Sequence, residues 1–290
     1  MKIAIASGKG GTGKTTLSVN LASLLSELYT DKNIVLVDLD VEEPNSALFL
    51  QQSILKEEIK YRNIPKWDET NCIHCGKCKE VCNFNAIAQL PKLVFIFNEL
   101  CHSCYACSEL CPTQSLPMKP MRMGTLQMSV ISENFYFIEG KLDIGQESAV
   151  PLISQTKKFV KDNFPDKSII LYDSPPGTSC PVIEAVKDSD FVILITEPTP
   201  FGLHDLKLAI ATMQAMKQIF GVVINRAGIG NNEVEKYCSE NKIQILGKIP
   251  NMREIAELYS KGKLIYHEIS QVENELIQIF ENTKSLLEHR

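Results

Sequence analysis

Residues 2–28, KIAIASGKGGTGKTTLSVNLASLLSEL, decide the fold. The apolar run at 2 to 7 reads as a short buried strand. The next eight residues, Gly8-Lys9-Gly10-Gly11-Thr12-Gly13-Lys14-Thr15, satisfy G-x4-G-K-[ST], and Thr16 to Leu28 reads as a helix with Leu17, Leu21, Leu24, Leu25 and Leu28 on one side. Strand, glycine turn and helix in this order aim the backbone N–H groups of Gly10 to Lys14 at phosphate oxygens. Lys14 is expected to neutralise the β and γ oxygens, and the Thr15 hydroxyl to hold Mg2+. Gly8, Gly10, Gly11, Thr12, Gly13, Lys14, Thr15 and Thr16 are the candidate nucleotide-binding residues.

Outward from this unit, Asn33 to Leu39 predicts a second buried strand. After Met128 a hairpin-like stretch, NFYFIEGKLDI, leads to a helix from about 149. Strands at 168–173, 191–196, 220–225 and 243–247 then alternate with helical patterns, and a last amphipathic helix spans Ser270 to Leu287. Alternation of this kind gives an α/β P-loop NTPase fold: a mostly parallel, doubly wound sheet with helices on both faces. The composition changes after Leu50. Lys56, Glu57, Glu58 and Lys60 read as a solvated helix face. Met118, Met121, Met123 and Met128 read as a linker whose irregular methionines pack rather than bind a soft metal. The expected organisation is a P-loop domain in two parts, 1–64 and 119–290, around a small α+β insert at 65–118.

That insert holds eight of the ten cysteines, in two copies of C-x2-C-x2-C-x3-C offset by 29 residues. Each run can supply three corners of a 4Fe-4S cube while the fourth ligand comes from the other run. Cys72, Cys75, Cys78 and Cys111 are therefore assigned to one cluster, and Cys101, Cys104, Cys107 and Cys82 to a second. Structural zinc favours separated C-x2-C pairs over triplets. Phe84, Tyr105 and Ile87 are expected to pack around the cubes, and His74 and His102 to tune exposure or hydrogen bonding to sulfur. Cys180 and Cys238 stand outside the repeat, and a small buried cysteine is the default reading of Cys180.

With 290 residues and 44% hydrophobic content, the chain suits one α/β domain plus a small insert. No apolar stretch reaches the roughly 18 to 20 residues of a membrane span, and the N-terminus runs directly into a strand. The cysteines are thus expected in a reducing cytoplasm. The formal charge is −5, and eight thiolates around two 2+ cubes add about −4. Neither nucleic acid nor stable membrane insertion is expected; no Lys/Arg stripe is present, and the last helix carries Glu273, Glu275 and Glu281.

Two apolar strands end in acids: Asp38 and Asp40 in VDLDVEEPN, and Asp173 in IILYDSPPG. Such ends place carboxylates in the ligand crevice, and backbone capping is the alternative role for Asp38 and Asp40. Together with SGKGGTGKTT, KLDIGQESA, DSPPGTSCPVIEA, TEPTPFGLHDL, VVINRAG and the cysteine repeat, these stretches make nearly the whole chain resemble the deviant Walker P-loop ATPases of the MinD/ParA/Mrp class with an inserted bacterial-type ferredoxin domain. The resemblance implies that Lys9 reaches across a homodimer to the partner's nucleotide. It further implies that Asp40 positions the attacking water, that Asp173 works through Mg2+ and its water, and that Gly177 lies near the γ-phosphate. Asn225 and Pro250 match the base-binding strands, with Asn225 toward adenine. The domain is shared with cobyrinic acid a,c-diamide synthases, whose activity is not expected here, since the chain shows no glutaminase domain with a Cys nucleophile.

The nitrogenase iron protein, a relative of this class, passes electrons; others carry or insert metal cofactors. The expectation is an ATP-hydrolysing iron-sulfur protein with ATP, Mg2+ and two 4Fe-4S clusters, coupling a dimer rearrangement to electron transfer toward an unidentified redox or cofactor-accepting protein. A metallocofactor carrier and a positioning or scaffold ATPase with redox-sensing clusters are the alternatives.

Overall fold

A computed structural model describes residues 1–288. Lys2–Ala6 (β1) enters the glycine loop, Lys14–Leu28 (α1) leaves it, and Ile34–Asp38 (β2) is followed by a 3-10 turn at Ser46–Phe49. Ser53–Pro65 (β3) leads into the cysteine segment, which contains Lys77–Glu80 (α2), Ile87–Leu90 (β4), Leu93–Ile96 (β5) and Ala106–Glu109 (α3). Met118–Ser132 (β6) leads out of it to Phe135–Leu142 (β7) and Ala149–Asn163 (α4). The remainder alternates: Ile169–Asp173 (β8), Cys180–Val186 (α5), Phe191–Thr196 (β9), Pro200–Ala215 (α6), Phe220–Ala227 (β10), Glu233–Glu240 (α7), Ile245–Pro250 (β11), Arg253–Ser260 (α8) and Ser270–Glu288 (α9).

Nine strands form one sheet in the order β11-β10-β9-β1-β8-β2-β7-β6-β3. Every pairing from β11 to β7 is parallel, while β7–β6 and β6–β3 are antiparallel. β1, β2, β8 and β9 are apolar runs because helices cover both of their faces. Alternate residues feed two cores. Ala4, Val35 and Val37 face α4, α5, α6 and α7, whereas Ile3, Ile5, Ile34 and Leu36 face α1 and α9. The expected α/β, mostly parallel, doubly wound architecture is the observed one. Among the described residues no helix is long and apolar enough to cross a membrane.

Two expectations are corrected. Lys56, Glu57, Glu58 and Lys60 belong to strand β3 rather than to a helix. Their true period is two: Glu58 forms ion pairs with both Lys56 and Lys60 on the same face, and those two ammonium groups lie 5.1 and 5.7 Å from the Phe159 ring centroid. Met118, Met121, Met123 and Met128 form part of β6, paired with β3, rather than a linker. Met123 and Met128 are core residues, consistent with packing.

Between the ends of β3 and β6 the cysteine segment has its own small core of Ile87, Val94 and Leu116 with Cys78 and Cys107. Its halves repeat in backbone as well as in sequence. Left-handed residues recur as His74 and Ser103, Gly76 and Tyr105, Asn85 and Gln114, each pair separated by the 29-residue offset of the cysteines.

Phe191 is fully buried at the start of β9. Phe191→Ala is expected to lower unfolding free energy by ~3–5 kcal/mol, read from anaerobic urea denaturation followed by circular dichroism.

Candidate functional site

The register of the sheet builds the acidic half of the site, since Asp38 of β2 stands directly opposite Asp173 of β8, and Ile5 of β1 opposite Asp173 on the other side. Both acids are thereby buried beside the exit of β1 into the glycine loop. Burial, the largest cause, raises both carboxyls above the usual range, and each lies in the other's neighbourhood. Asp38 spends its oxygens on the chain that follows it: the N–H groups of Asp40, Asn45 and Ser46 donate to it at 3.0, 3.1 and 3.0 Å. It thus caps the turn carrying Asp40. Ser46 Oγ in turn donates to Asp173 Oδ2 at 3.3 Å. Thr15, named by the sequence for Mg2+, neighbours the Asp173 carboxyl and counters part of the rise that burial causes, while Asp173 Oδ1 and Thr12 Oγ1 are buried without partners. Orphaned oxygens facing a phosphate loop fit a hydrated Mg2+–nucleotide.

Lys14 is buried and donates to Ser7 Oγ at 3.1 Å. Burial holds its pKa below the usual lysine value, opposed by Asp173, Asp40 and Asp38. Asp40 is half-buried, and its carboxyl is pushed up to about 6, first by burial and then by the charge of Asp38. Gly177, in a left-handed conformation, donates its N–H to the Ser7 carbonyl at 3.0 Å and so ties the loop after β8 to the phosphate loop. Asp40, Val41, Glu42 and Glu43 face Pro175, Pro176 and Ser179 across an open cavity of about 310 Å3.

Lys9 lies 3.6 Å from Glu197, whose other oxygen is 2.8 Å from Arg226. Asn225 donates to the Thr12 carbonyl at 2.8 Å and thereby braces the phosphate loop; Pro250 ends β11 beside Ala227. Ser7, Ser46 and Glu197 are contributors that the motifs did not single out: a serine has no distinctive pattern, and Glu197 acquires its role through partners far away in the chain. Cys238 is buried, but Cys180 is exposed at the start of α5, against the default reading of it as a small buried cysteine, because the loop after β8 leaves it at the surface.

The eight repeat cysteines gather in two groups. Cys82, Cys101, Cys104 and Cys107 line one hollow together with Phe84, Ile87 and Tyr105. Cys72, Cys75, Cys78 and Cys111 line another with Trp67 and Leu116. No three His, Cys, Asp or Glu side chains among the described residues converge closely enough for a single metal ion. The fourth cysteine of each run receives a main-chain N–H: Ala86 donates to Cys82 Sγ at 3.3 Å and Ser115 to Cys111 Sγ at 3.2 Å. Burial, reinforced by Cys101, Cys104 and Cys82, pushes the Cys107 thiol up to about 11. A polynuclear cationic centre would reverse that sign, so the all-thiol donor sets, their grouping in fours and the N–H···S bonds fit 4Fe-4S groups. His102 stacks on Phe84 with centroids 3.8 Å apart, and His74 meets Trp67 edge-on.

Comparison with known proteins places this geometry among relatives. The family described as CobQ/CobB/MinD/ParA nucleotide binding domain matches residues 3–265. An uncharacterised protein of Methanocaldococcus jannaschii is 32% identical over 288 residues, covering 99% of this chain and 98% of that one. An iron-sulfur cluster carrier protein of Pyrococcus horikoshii is 28% identical, covering 89% and 77%. The crystal structure of the cell division ATPase MinD of Pyrococcus furiosus aligns with a TM-score of 0.58 at 21% identity over 98% of each chain, a likeness of fold.

Gly13 has φ +98, and a Cβ there would lie 2.3 Å from Asn225 Nδ2. Gly13→Ala is expected to weaken adenine-nucleotide binding at least tenfold by calorimetry, with partial recovery in Gly13→Ala/Asn225→Ala, whereas Gly11→Ala, strained in φ but facing open space, costs less.

Proposed function

Because this chain belongs to the CobQ/CobB/MinD/ParA family of nucleotide-binding domains, we propose that it is an Mg2+-dependent ATPase, active as a homodimer, whose nucleotide state governs two 4Fe-4S clusters that pass electrons to a partner protein. The observation that carries the reading is the sorting of eight cysteines into two quartets around separate, largely apolar hollows, on a chain that also assembles Lys14, Asp40 and Asp173 at its phosphate loop. A bound 4Fe-4S cluster supplies a one-electron couple.

The chain's own groups serve the hydrolytic step. Main-chain N–H groups of Gly10 to Lys14 and the Lys14 ammonium draw negative charge from the phosphates, and Thr15 with Asp173 would hold Mg2+, which would supply further positive charge to the phosphate oxygens. Asp40 orients the water that attacks the γ-phosphorus as the bond to the bridging oxygen breaks, giving ADP and inorganic phosphate. Lys9 leaves Glu197 to meet the nucleotide of the second subunit. The cysteine segment is entered soon after this centre: 31 residues separate Asp40 from Cys72. The segment at 65–118 is read as the ferredoxin-like insert between the two parts of the ATPase domain.

A second reading, a cluster carrier, has its own support in the name of the Pyrococcus horikoshii relative and in the exposure of Cys75 and Cys104, one corner of each quartet. Four cysteines for each cluster favour permanent retention and electron transfer.

Anaerobically reconstituted protein is expected to hold about eight irons per chain. Cys75→Ser and Cys111→Ser should diminish the same cluster signal in electron paramagnetic resonance, and Cys82→Ser and Cys104→Ser the other. Stoichiometric transfer of iron and sulfide to an apo-acceptor, in place of a nucleotide-dependent redox potential, would favour the carrier; iron-free protein would overturn both readings.

The ATPase pH profile supplies a further test. Asp40 is raised to about 6, so its carboxylate predominates above that pH and is lost as pH falls through it. Turnover should fall on an acid limb near this value. Asp38→Asn should move the limb to lower pH, and Lys14→Ala should reduce turnover at least a hundredfold.

A further inference from the structure

Arg62, near the end of β3, is a buried cation that the site described above does not use; it is 4% exposed. Its NH1 donates to the Cys101 carbonyl at 2.9 Å, and its NH2 donates to the Asn98 carbonyl at 3.1 Å and to Gln146 Oε1 at 3.2 Å. Nε has no partner. Among the described residues the ion-paired arginines are Arg122, Arg226 and Arg253, without Arg62. A guanidinium held by neutral oxygens is costly to bury unless an anion is near. The chain to which it is bonded belongs to Cys101, a member of the Cys82 quartet, and four thiolates around a 2+ cube carry a net charge of about −2.

The third partner of the guanidinium leads back to the Asp40 segment. Gln146 lies in the turn between β7 and α4. At the start of that turn Leu142 N–H donates to the Val41 carbonyl at 2.8 Å, next to Asp40; at its end Ala149 lines the cavity shared with Asp40 and Pro176. A second strut runs alongside, where Gln155 of α4 donates to the Tyr61 carbonyl at 2.9 Å, one residue from Arg62. The β7–α4 turn is therefore bonded to the Asp40 segment on one side and, through Gln146 and Arg62, to the Cys101 loop on the other.

We infer that Arg62 is a positioning residue: it is the counter-charge of the cluster seated among Cys82, Cys101, Cys104 and Cys107, and through Gln146 it links that cluster to the Asp40 segment. The inference rests on the coupling reading above and names its route. It also makes the two clusters unequal. Among the described residues no charged side chain of the main sheet bonds the backbone of the Cys72 quartet, so that cluster is an internal control.

The test is an anaerobic redox titration, followed by electron paramagnetic resonance, of reconstituted full-length protein without nucleotide, with ADP and with a nonhydrolysable ATP analogue. Arg62→Gln is expected to make one of the two clusters harder to reduce, by a tenfold or larger change in the reduction equilibrium, about 59 mV for one electron, and Arg62→Lys to recover most of that shift. Gln146→Ala is expected to retain iron content and both nucleotide-free potentials, and to lose the difference between ADP and analogue at the same cluster. If Arg62→Gln does not fold, Arg62→Lys and Gln146→Ala decide: full nucleotide response in both overturns the link. Equal shifts at both clusters in Arg62→Gln, or none, overturn the counter-charge. Wild-type clusters indifferent to nucleotide overturn the coupling reading itself and the link with it, while the nucleotide-free shift in Arg62→Gln still decides the counter-charge.

Discussion

The constraint on which the rest depends is the burial of Asp38, Asp173 and Lys14 at the C-terminal ends of the central strands β2, β8 and β1. None is fully repaid by direct ion pairing. Asp38 relies on three main-chain N–H groups, Lys14 on the Ser7 hydroxyl, and Asp173 leaves one oxygen without a partner. Buried charges of this kind cost stability unless further hydrogen bonds satisfy them, and the apolar strands on both sides supply the burial energy that tolerates the arrangement. The return is a set of groups held in place before any ligand arrives. A triphosphate with Mg2+ brings both signs of charge to groups that lack them, so binding relieves a deficit instead of competing with bonds already made.

The same economy fixes the segment carrying Asp40. Because Asp38 caps Asp40, Asn45 and Ser46, the turn after β2 cannot move without loosening a buried carboxylate, and Ser46 passes the constraint to Asp173. Val41 then bonds the end of β7, the strand that carries the antiparallel extension β6 and β3. The cysteine segment hangs from the far ends of those two strands. Any shift of the Asp40 turn therefore acts on a continuous hydrogen-bonded sheet, a stiffer lever than a flexible linker of the same length, and this is the physical route that the proposed coupling would take.

Legibility in the sequence followed how local each signal is. Fully buried strands declare themselves as apolar runs, the phosphate loop as spaced glycines, and the cysteine repeat as spacing with an internal offset; each is written in contiguous residues. The outer hairpin departs from its sequence reading because its two faces are reversed from the usual pattern: Lys56, Glu58 and Lys60 satisfy one another on the face turned to Phe159, while Leu55, Ile59 and Tyr61 lie exposed on the other, and the methionines of β6 carry no strand preference strong enough to correct it. Arg62 was silent for a different reason. Its partners are two carbonyls and an amide drawn from positions 98, 101 and 146, and backbone acceptors leave no residue-type signature. Asn225 illustrates the same limit, since its bond to the Thr12 carbonyl depends on β10 lying across the sheet from the loop.

Lys9 shows how weakly this resting arrangement is held. Its partner Glu197 already receives Arg226 at 2.8 Å, and the lysine stands farther off at 3.6 Å with a third of its side chain exposed. A solvent-screened pair of that kind is worth ~0–1 kcal/mol. A second subunit's polyphosphate, offered in a closed and drier interface, attracts the same ammonium more strongly. Glu197 loses little when Lys9 departs, because Arg226 remains to neutralise it. The signature lysine is thus parked on its own chain at small cost to release, so in the proposed dimer the decision to close falls to the nucleotide and to the Asp38-capped turn that senses it.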